Sequence, residues 1–159
     1  MMKKTSFFCV LLAVAFLAMG LSGHHHQAGG LKSAYAHSGA TGIVKDRMDR
    51  FKDSQNALKV IAAAIKAQDY NAIDAQAQLI AQWGDEMLAY FPKGSNPAPS
   101  EALDVIWQDM DQFKAMAEAN AHAAKRLKQL ATSGDQSKIK PAFNELVGSC
   151  KSCHQKFRQ

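Results

Sequence analysis

The sequence lacks any stretch in which apolar and polar residues alternate, and it has only four prolines among 159 residues. Without a period of two, half-buried β-strands are not expected. Three of the prolines lie within residues 91–99, so the rest of the chain, apart from Pro141, is free to form long helices. These absences indicate an all-α fold that is interrupted at residues 91–99.

Cysteine is scarce as well. The chain has three, and Cys9 lies in an apolar run near the N-terminus. The other two, Cys150 and Cys153, would enclose a loop too small for a disulfide to stabilise the fold much. A scaffold held together by disulfides is therefore excluded, and the pair needs another explanation.

The N-terminal region is typical of an export signal. Residues 1–4 carry two lysines, and residues 5–21 form an apolar run without a charge. Ala34-Tyr35-Ala36 is an A-x-A cleavage pattern, which predicts a signal peptide at residues 1–36 and a mature domain at residues 37–159. Because the spacer before Ala34 is long, an earlier cleavage or a retained membrane anchor stays open. A periplasmic protein is expected, membrane-anchored if the signal is retained.

A large excess of positive charge is also lacking in the mature part. Lys3, Lys4 and Lys32 lie in residues 1–36, which contain no acidic residue, so their removal lowers the formal net charge from +5 to +2. The alkaline isoelectric point of about 9.2 therefore comes mostly from the presequence. No nucleic-acid partner is indicated.

Four helices with short connections predict an antiparallel four-helix bundle. On the first helix a heptad pattern predicts a core-facing stripe. Its members are Val44, Met48, Phe51, Gln55, Leu58, Ala62 and Ile65. The predicted helices run from about Thr41 to Ala67, from Tyr70 to Tyr90, from the cap at Ser100 to about Thr132, and from a start between Asp135 and Ile139 towards the C-terminus.

Residues Cys150-Lys151-Ser152-Cys153-His154 have the C-x-x-C-H spacing of c-type haem attachment. Two cysteines three apart share one helix face, so both thiols can add to the vinyl groups of one haem, while His154 offers an imidazole to the iron. Export agrees with this, since c-type haem is added outside the cytoplasm. The alternatives are a redox CxxC pair and half of a zinc site. The first needs a βαβ setting and the second a fourth ligand, and neither is visible in the sequence.

With this motif near the end of a four-helix bundle, the sequence resembles the cytochrome c′ family, the class II c-type cytochromes. The likeness covers residues 40–158 and rests on four groups of residues: Val44 to Arg47, Tyr90 to Pro92, Ile106-Trp107, and Cys150 to His154 with Phe157-Arg158. The resemblance implies one covalently attached haem c, a role in electron transfer with redox partner proteins, and no classical enzyme activity. A weak peroxidase-like activity stays open.

The resemblance also implies what faces the iron. The family's distal residue lies four positions after the motif arginine, Arg47, and so maps to Phe51. A phenyl ring offers no ligand atom, so a five-coordinate haem that binds nitric oxide or carbon monoxide is expected. The alternative is a low-spin electron carrier with Met48, one turn earlier, as the sixth ligand. Read without the family, Met48 is an ordinary core methionine.

Four further residues have both a functional and an ordinary interpretation. Arg47 resembles an arginine that meets a haem propionate, and otherwise is a solvated cation. Arg158 resembles one beside the proximal histidine, and otherwise is a cation at a helix C-terminus. Gln55 is either a distal hydrogen-bonding group or lies at the stripe's edge. His122, off the stripe of the third helix, is predicted to be a surface residue.

The family often pairs through its first two helices, so a homodimer is expected from the resemblance. An outer apolar face containing Ile61 and Leu79 is predicted to allow it.

Overall fold

The structure, a computed structural model, describes residues 39–159, and the predicted signal peptide at residues 1–36 lies outside them. Four long helices form an antiparallel four-helix bundle, which confirms the predicted fold. A 3₁₀ turn at Met87–Tyr90 extends the second helix. Within residues 39–159 no helix is both long and apolar enough to cross a membrane. The helices are α1 (Gly42–Ala67), α2 (Tyr70–Glu86), a short α3 (Val105–Gln108), α4 (Met110–Ser133) and α5 (Gln136–Phe157).

The connection between α1 and α2 is a two-residue turn, as predicted. Gln68 adopts a left-handed conformation with φ 57°, and the N–H of Asp69 donates to the Ala64 carbonyl over 3.0 Å. The Asp69 carboxylate then accepts from the N–H of Ala72 over 3.0 Å and caps α2. Because the turn is this short, the two helices run antiparallel.

The core between α2 and α4 depends on small residues. A Cβ atom added to Gly84 would lie 2.8 Å from the Cβ of Ala121 on α4, so glycine lets the two helices approach. The buried core also includes Ile73, Ile80, Leu127 and other residues from all four long helices.

The buried face of α1 differs from the predicted stripe in the second half of the helix. The core residues there are Ala57, Ile61 and Ala64, each one position before a predicted one. A shift of one residue rotates the buried face by about 100° around the helix axis. Alanines add little to an apolar pattern but let helices pack closely, so the fully buried face lies beside the predicted stripe, whose Leu58 and Ile65 are half-buried against the core. Ile61, expected on an outer face, is 0% exposed, so that assignment was wrong.

The third long helix begins later than predicted. Ser100 does not cap it; its Oγ accepts from Nη2 of Arg47 over 2.6 Å, a contact with a residue far away in sequence. The short helix α3 follows at Val105–Gln108, and Asp109 then leaves helical geometry with φ −133°. The Asp109 carboxylate accepts from the N–H of Gln112 and caps α4. The hydrogen bond between Ser100 and Arg47 therefore joins the segment before Asp109 to α1.

Candidate functional site

Residues of the four long helices, of α3 and of the segment between α2 and α3 line a partly open cavity of about 730 Å³. This volume lies in the range of small-molecule and cofactor sites. α5 begins at Gln136, within the predicted range, and its last turns bring Cys150, Cys153 and His154 to the cavity wall. The three residues of the C-x-x-C-H motif therefore line one cavity.

Both cysteines of the motif are free, half-buried thiols. Burial raises the pKa of Cys150, and burial together with the neighbouring Cys150 raises the pKa of Cys153 to about 11. The Sγ of Cys150 accepts a hydrogen bond from Nδ2 of Asn120 over 3.3 Å. Reactive redox cysteines have a lowered pKa in electropositive surroundings, so this environment disfavours the redox-pair interpretation.

His154 is half-buried. Burial lowers its pKa, the positive charge of Arg158 lowers it further, and the negative charge of Glu101 opposes them. The neutral imidazole that this favours is the form that coordinates a metal. Within residues 39–159 no group of three or more His, Cys, Asp or Glu side chains is arranged to hold a metal ion, so the zinc alternative lacks a set of ligands there.

Phe51 lies opposite His154. The two ring centroids are 6.1 Å apart with their planes at 69°, and the Phe51 ring also packs edge-on against Trp83 at 5.1 Å. Met48, one turn earlier on α1, is half-buried and lines the same cavity. Gln55 lines it from an exposed position. Both candidate distal residues therefore reach the cavity, and the ring contact with His154 is made by Phe51.

Arg47 is buried, with only 2% of its surface exposed, so the solvated interpretation was wrong. Nη1 donates to Ser95 Oγ over 2.8 Å and to the Tyr90 carbonyl over 3.3 Å, and the guanidinium lies 4.5 Å from the centroid of the Phe91 ring. These partners, like Ser100, are neutral. Burial lowers its pKa, and a cation buried beside the cavity among neutral groups favours an anion there.

Trp83 also lines the cavity. Its Nε1 is buried and, within residues 39–159, has no hydrogen-bond partner. Buried polar groups are rarely left unpaired in folded proteins. An apolar cavity with two thiols, an imidazole and the Arg47 cation fits a flat apolar cofactor with acidic substituents. A haem with two propionates has that chemistry.

Arg158 lies on the cavity rim just beyond α5, and its backbone N–H donates to the His154 carbonyl over 3.1 Å. Its guanidinium pairs with Glu101, with Nε 2.6 Å from Oε2. No sequence pattern marks Glu101 as a site residue, so its place at the site was missed. Asn120 on α4 also lines the cavity. It is buried, and a polar residue in an apolar stripe is a signal that could have singled it out.

His122 is exposed on α4, as predicted.

Comparisons with known proteins agree with one another. Residues 42–158 match the family described as Cytochrome C'. The cytochrome c′ of Pararhodospirillum photometricum is 40% identical over 119 residues, which cover 73% of this chain and 95% of that protein. The solved cytochrome c′ of Rhodopseudomonas palustris gives a TM-score of 0.67 at 28% identity, covering 76% of this chain and 98% of that one. A cytochrome c′ solved at 1.8 Å, described as having an unusual ligand-controlled dimer dissociation, gives a TM-score of 0.67 at 24% identity, covering 73% and 93%.

Proposed function

The chain belongs to the cytochrome c′ family, whose members carry electrons on a covalently attached haem c, and on that premise we propose that it is an exported monohaem cytochrome that also binds small gases. Its iron changes between the ferric and ferrous states with His154 as proximal ligand. Nitric oxide or carbon monoxide binds on the other side. This is the role of an electron carrier with an open iron site, not of a classical enzyme.

Cys150 and Cys153 hold the haem in this proposal. Each thiol adds across one vinyl double bond, so that the sulfur forms a bond to one vinyl carbon and the thiol proton goes to the other. The two residues are three apart on α5 and both line the cavity, which supports attachment of one ring at two points. His154 follows Cys153 directly and lines the same wall.

Arg47 binds a haem propionate in this proposal. Its support is the burial of the guanidinium at the cavity wall among neutral partners. Charge-assisted hydrogen bonds from an arginine fork to a carboxylate are stronger than bonds between neutral groups. A propionate would therefore supply the anion that the surrounding protein groups do not.

The five-coordinate iron rests on the position of Phe51. Its ring lies 6.1 Å from the His154 ring and has no atom that can coordinate iron. A gas molecule then has to displace the phenyl ring in order to bind. Such a crowded apolar pocket favours nitric oxide and carbon monoxide, because a polar oxygen adduct needs a hydrogen-bond donor.

Visible absorption spectra of the purified, haem-loaded protein test this directly. We expect high-spin spectra in both oxidation states and a clear change when carbon monoxide is added to the reduced protein. Sharp, split visible bands and no response to carbon monoxide would contradict the five-coordinate iron. A protein that carries no covalent haem after denaturing electrophoresis would contradict the whole proposal.

A low-spin electron carrier with Met48 as sixth ligand is the second candidate. It is favoured by the half-buried position of Met48 at the cavity, one turn from Phe51. Replacement of Met48 by leucine removes the only thioether of that helix turn. If Met48 is the ligand, Met48→Leu converts a low-spin spectrum to a high-spin one.

Export and self-association complete the proposal. The predicted signal at residues 1–36 supports attachment of the haem outside the cytoplasm, in the periplasm or on a retained membrane anchor, where redox partner proteins exchange electrons with it.

A homodimer through α1 and α2 is supported by Val60 and Leu79, which remain 44% and 40% exposed. Leu79 is exposed as predicted, and Val60 takes the place of the mistaken Ile61 in the outer apolar face.

A further inference from the structure

We propose that Glu101 is the counter-ion of Arg158 at the rim of the haem site, and that it keeps the charge of Arg158 from raising the reduction potential of the iron. Glu101 holds the Arg158 guanidinium in place and offsets its charge. The inference rests on the proposed function, since it takes His154 as the proximal ligand. It concerns Glu101, a residue of the connection between α2 and α3 that lies outside the haem-attachment motif.

The backbone fixes the two residues opposite each other. The N–H of Leu103 donates to the Phe157 carbonyl over 3.0 Å, and the N–H of Gln159 donates to the Glu101 carbonyl over 3.0 Å. Ala102 and Arg158 form an isolated antiparallel bridge between these two bonds. The register between the connection and the C-terminal end of α5 is therefore set by main-chain bonds, which a side-chain substitution at position 101 leaves in place.

The side chains complete this pairing. Arg158 Nε donates to Glu101 Oε2 over 2.6 Å, and Nη2 pairs with the same oxygen. Both side chains line the cavity, and both remain about half exposed, at 51% and 47%. Two nitrogens on one carboxylate oxygen hold the arginine in one orientation. Solvent screens such a pair, so its effect is largest at low ionic strength.

The position of the pair relative to His154 gives it an electrostatic role. The N–H of Arg158 donates to the His154 carbonyl over 3.1 Å, so the arginine lies one turn from the proposed ligand. Ferric haem carries one more positive charge than ferrous haem, so a nearby cation favours the ferrous state and a nearby anion favours the ferric state. The other cation of this turn, Lys156, already has its own partner, Asp109, at 2.7 Å.

The test is the reduction potential of the haem-loaded protein, measured by spectroelectrochemical titration at low ionic strength. Glu101→Gln leaves Arg158 uncompensated, so the potential is expected to rise. Arg158→Gln leaves Glu101 uncompensated, so the potential is expected to fall. In the double variant the shift is expected to be smaller than in either single variant. Glu118→Gln is the matched control, because Glu118 is exposed, pairs with Lys114 at 3.9 Å and lies outside the cavity wall.

Opposite signs separate a charge effect from a structural one. Loosening of the connection would shift the potential in the same direction in both single variants, since each breaks the same pair. Shifts of equal sign, or single variants that match Glu118→Gln, would overturn the inference while leaving the proposed function intact. Absence of covalent haem in the unsubstituted protein would instead overturn both.

Discussion

Phe51 on α1 and His154 on α5 make an edge-on ring contact at the cavity, with their ring centroids 6.1 Å apart and their planes at 69°. Phe51 is supported from behind by Trp83 and Phe91, whose ring centroids lie 5.1 and 6.4 Å away. In the proposed function the haem would meet the imidazole of His154 on one side and the phenyl ring of Phe51, which cannot coordinate iron, on the other. The chemistry of the site depends on this asymmetry.

Phe51→Met should convert the haem-loaded protein towards low spin. The substitution puts a thioether sulfur, a known axial haem ligand, at the position that faces His154. Ferric and ferrous visible spectra will show the change, and the response to carbon monoxide should weaken. Met48→Leu is the control and is expected to leave both spectra unchanged. A spectral change in Met48→Leu together with none in Phe51→Met would transfer the distal role to Met48.

Arg47→Met should destabilise the haem-loaded protein by about 1–3 kcal/mol, because it leaves buried polar partners of the guanidinium unpaired. The buried hydroxyl of Ser95, bonded over 2.8 Å, loses its donor, whereas the half-buried hydroxyl of Ser100 keeps its bond from the N–H of Ala102. The free energy of unfolding in urea measures the loss. Arg126→Met is the control, because its side chain is 61% exposed, and it should cost no more than about 0.5 kcal/mol. Equal losses in the two variants would mean that the Arg47 network adds little stability.

The sequence predicts the parts of this site that depend on neighbours in the chain. The turn at Gln68-Asp69 follows from the ends of the two helical patterns on either side of it, and the spacing of Cys150, Cys153 and His154 brings them to one wall through helix geometry alone. The repeat of apolar residues therefore predicts the number of long helices, and the spacing of the motif predicts that its residues lie together. The repeat also indicates that Phe51 and Met48 share a helix face.

The contacts that the sequence could not predict join residues that lie far apart in the chain. Arg47 meets Ser100 across 53 positions, and Arg158 meets Glu101 across 57. No periodicity encodes such pairs, because they form only after residues 91–104 fold against α1 and α5. The same contacts explain why the hydroxyl of Ser100 binds Arg47 and does not cap a helix.

Gly84→Ala should destabilise the bundle by about 1–3 kcal/mol, the usual cost of adding atoms to a packed core. The new Cβ would lie 2.8 Å from Ala121 Cβ and 2.9 Å from its backbone nitrogen, so α2 and α4 would have to separate. Gly148→Ala is a matched control within α5. A Cβ there meets nothing within 4 Å, so it should stabilise the helix by roughly 0.5–1 kcal/mol. Urea unfolding of both variants gives the two signs, and a loss at Gly148 as large as that at Gly84 would contradict the close-packing argument.

Leu79→Glu should weaken the proposed homodimer at least about tenfold, which corresponds to roughly 1.4 kcal/mol. Leu79 and Val60 are large apolar side chains left exposed on α2 and α1, and a carboxylate buried between two such faces would lose its hydration without gaining a partner. Sedimentation velocity over a range of concentrations measures the association. Val147→Glu is the control, since Val147 on α5 is also 40% exposed but lies outside the proposed interface. If Val147→Glu dissociates the protein and Leu79→Glu does not, the interface lies on α5, and the apolar face of α1 and α2 has another use.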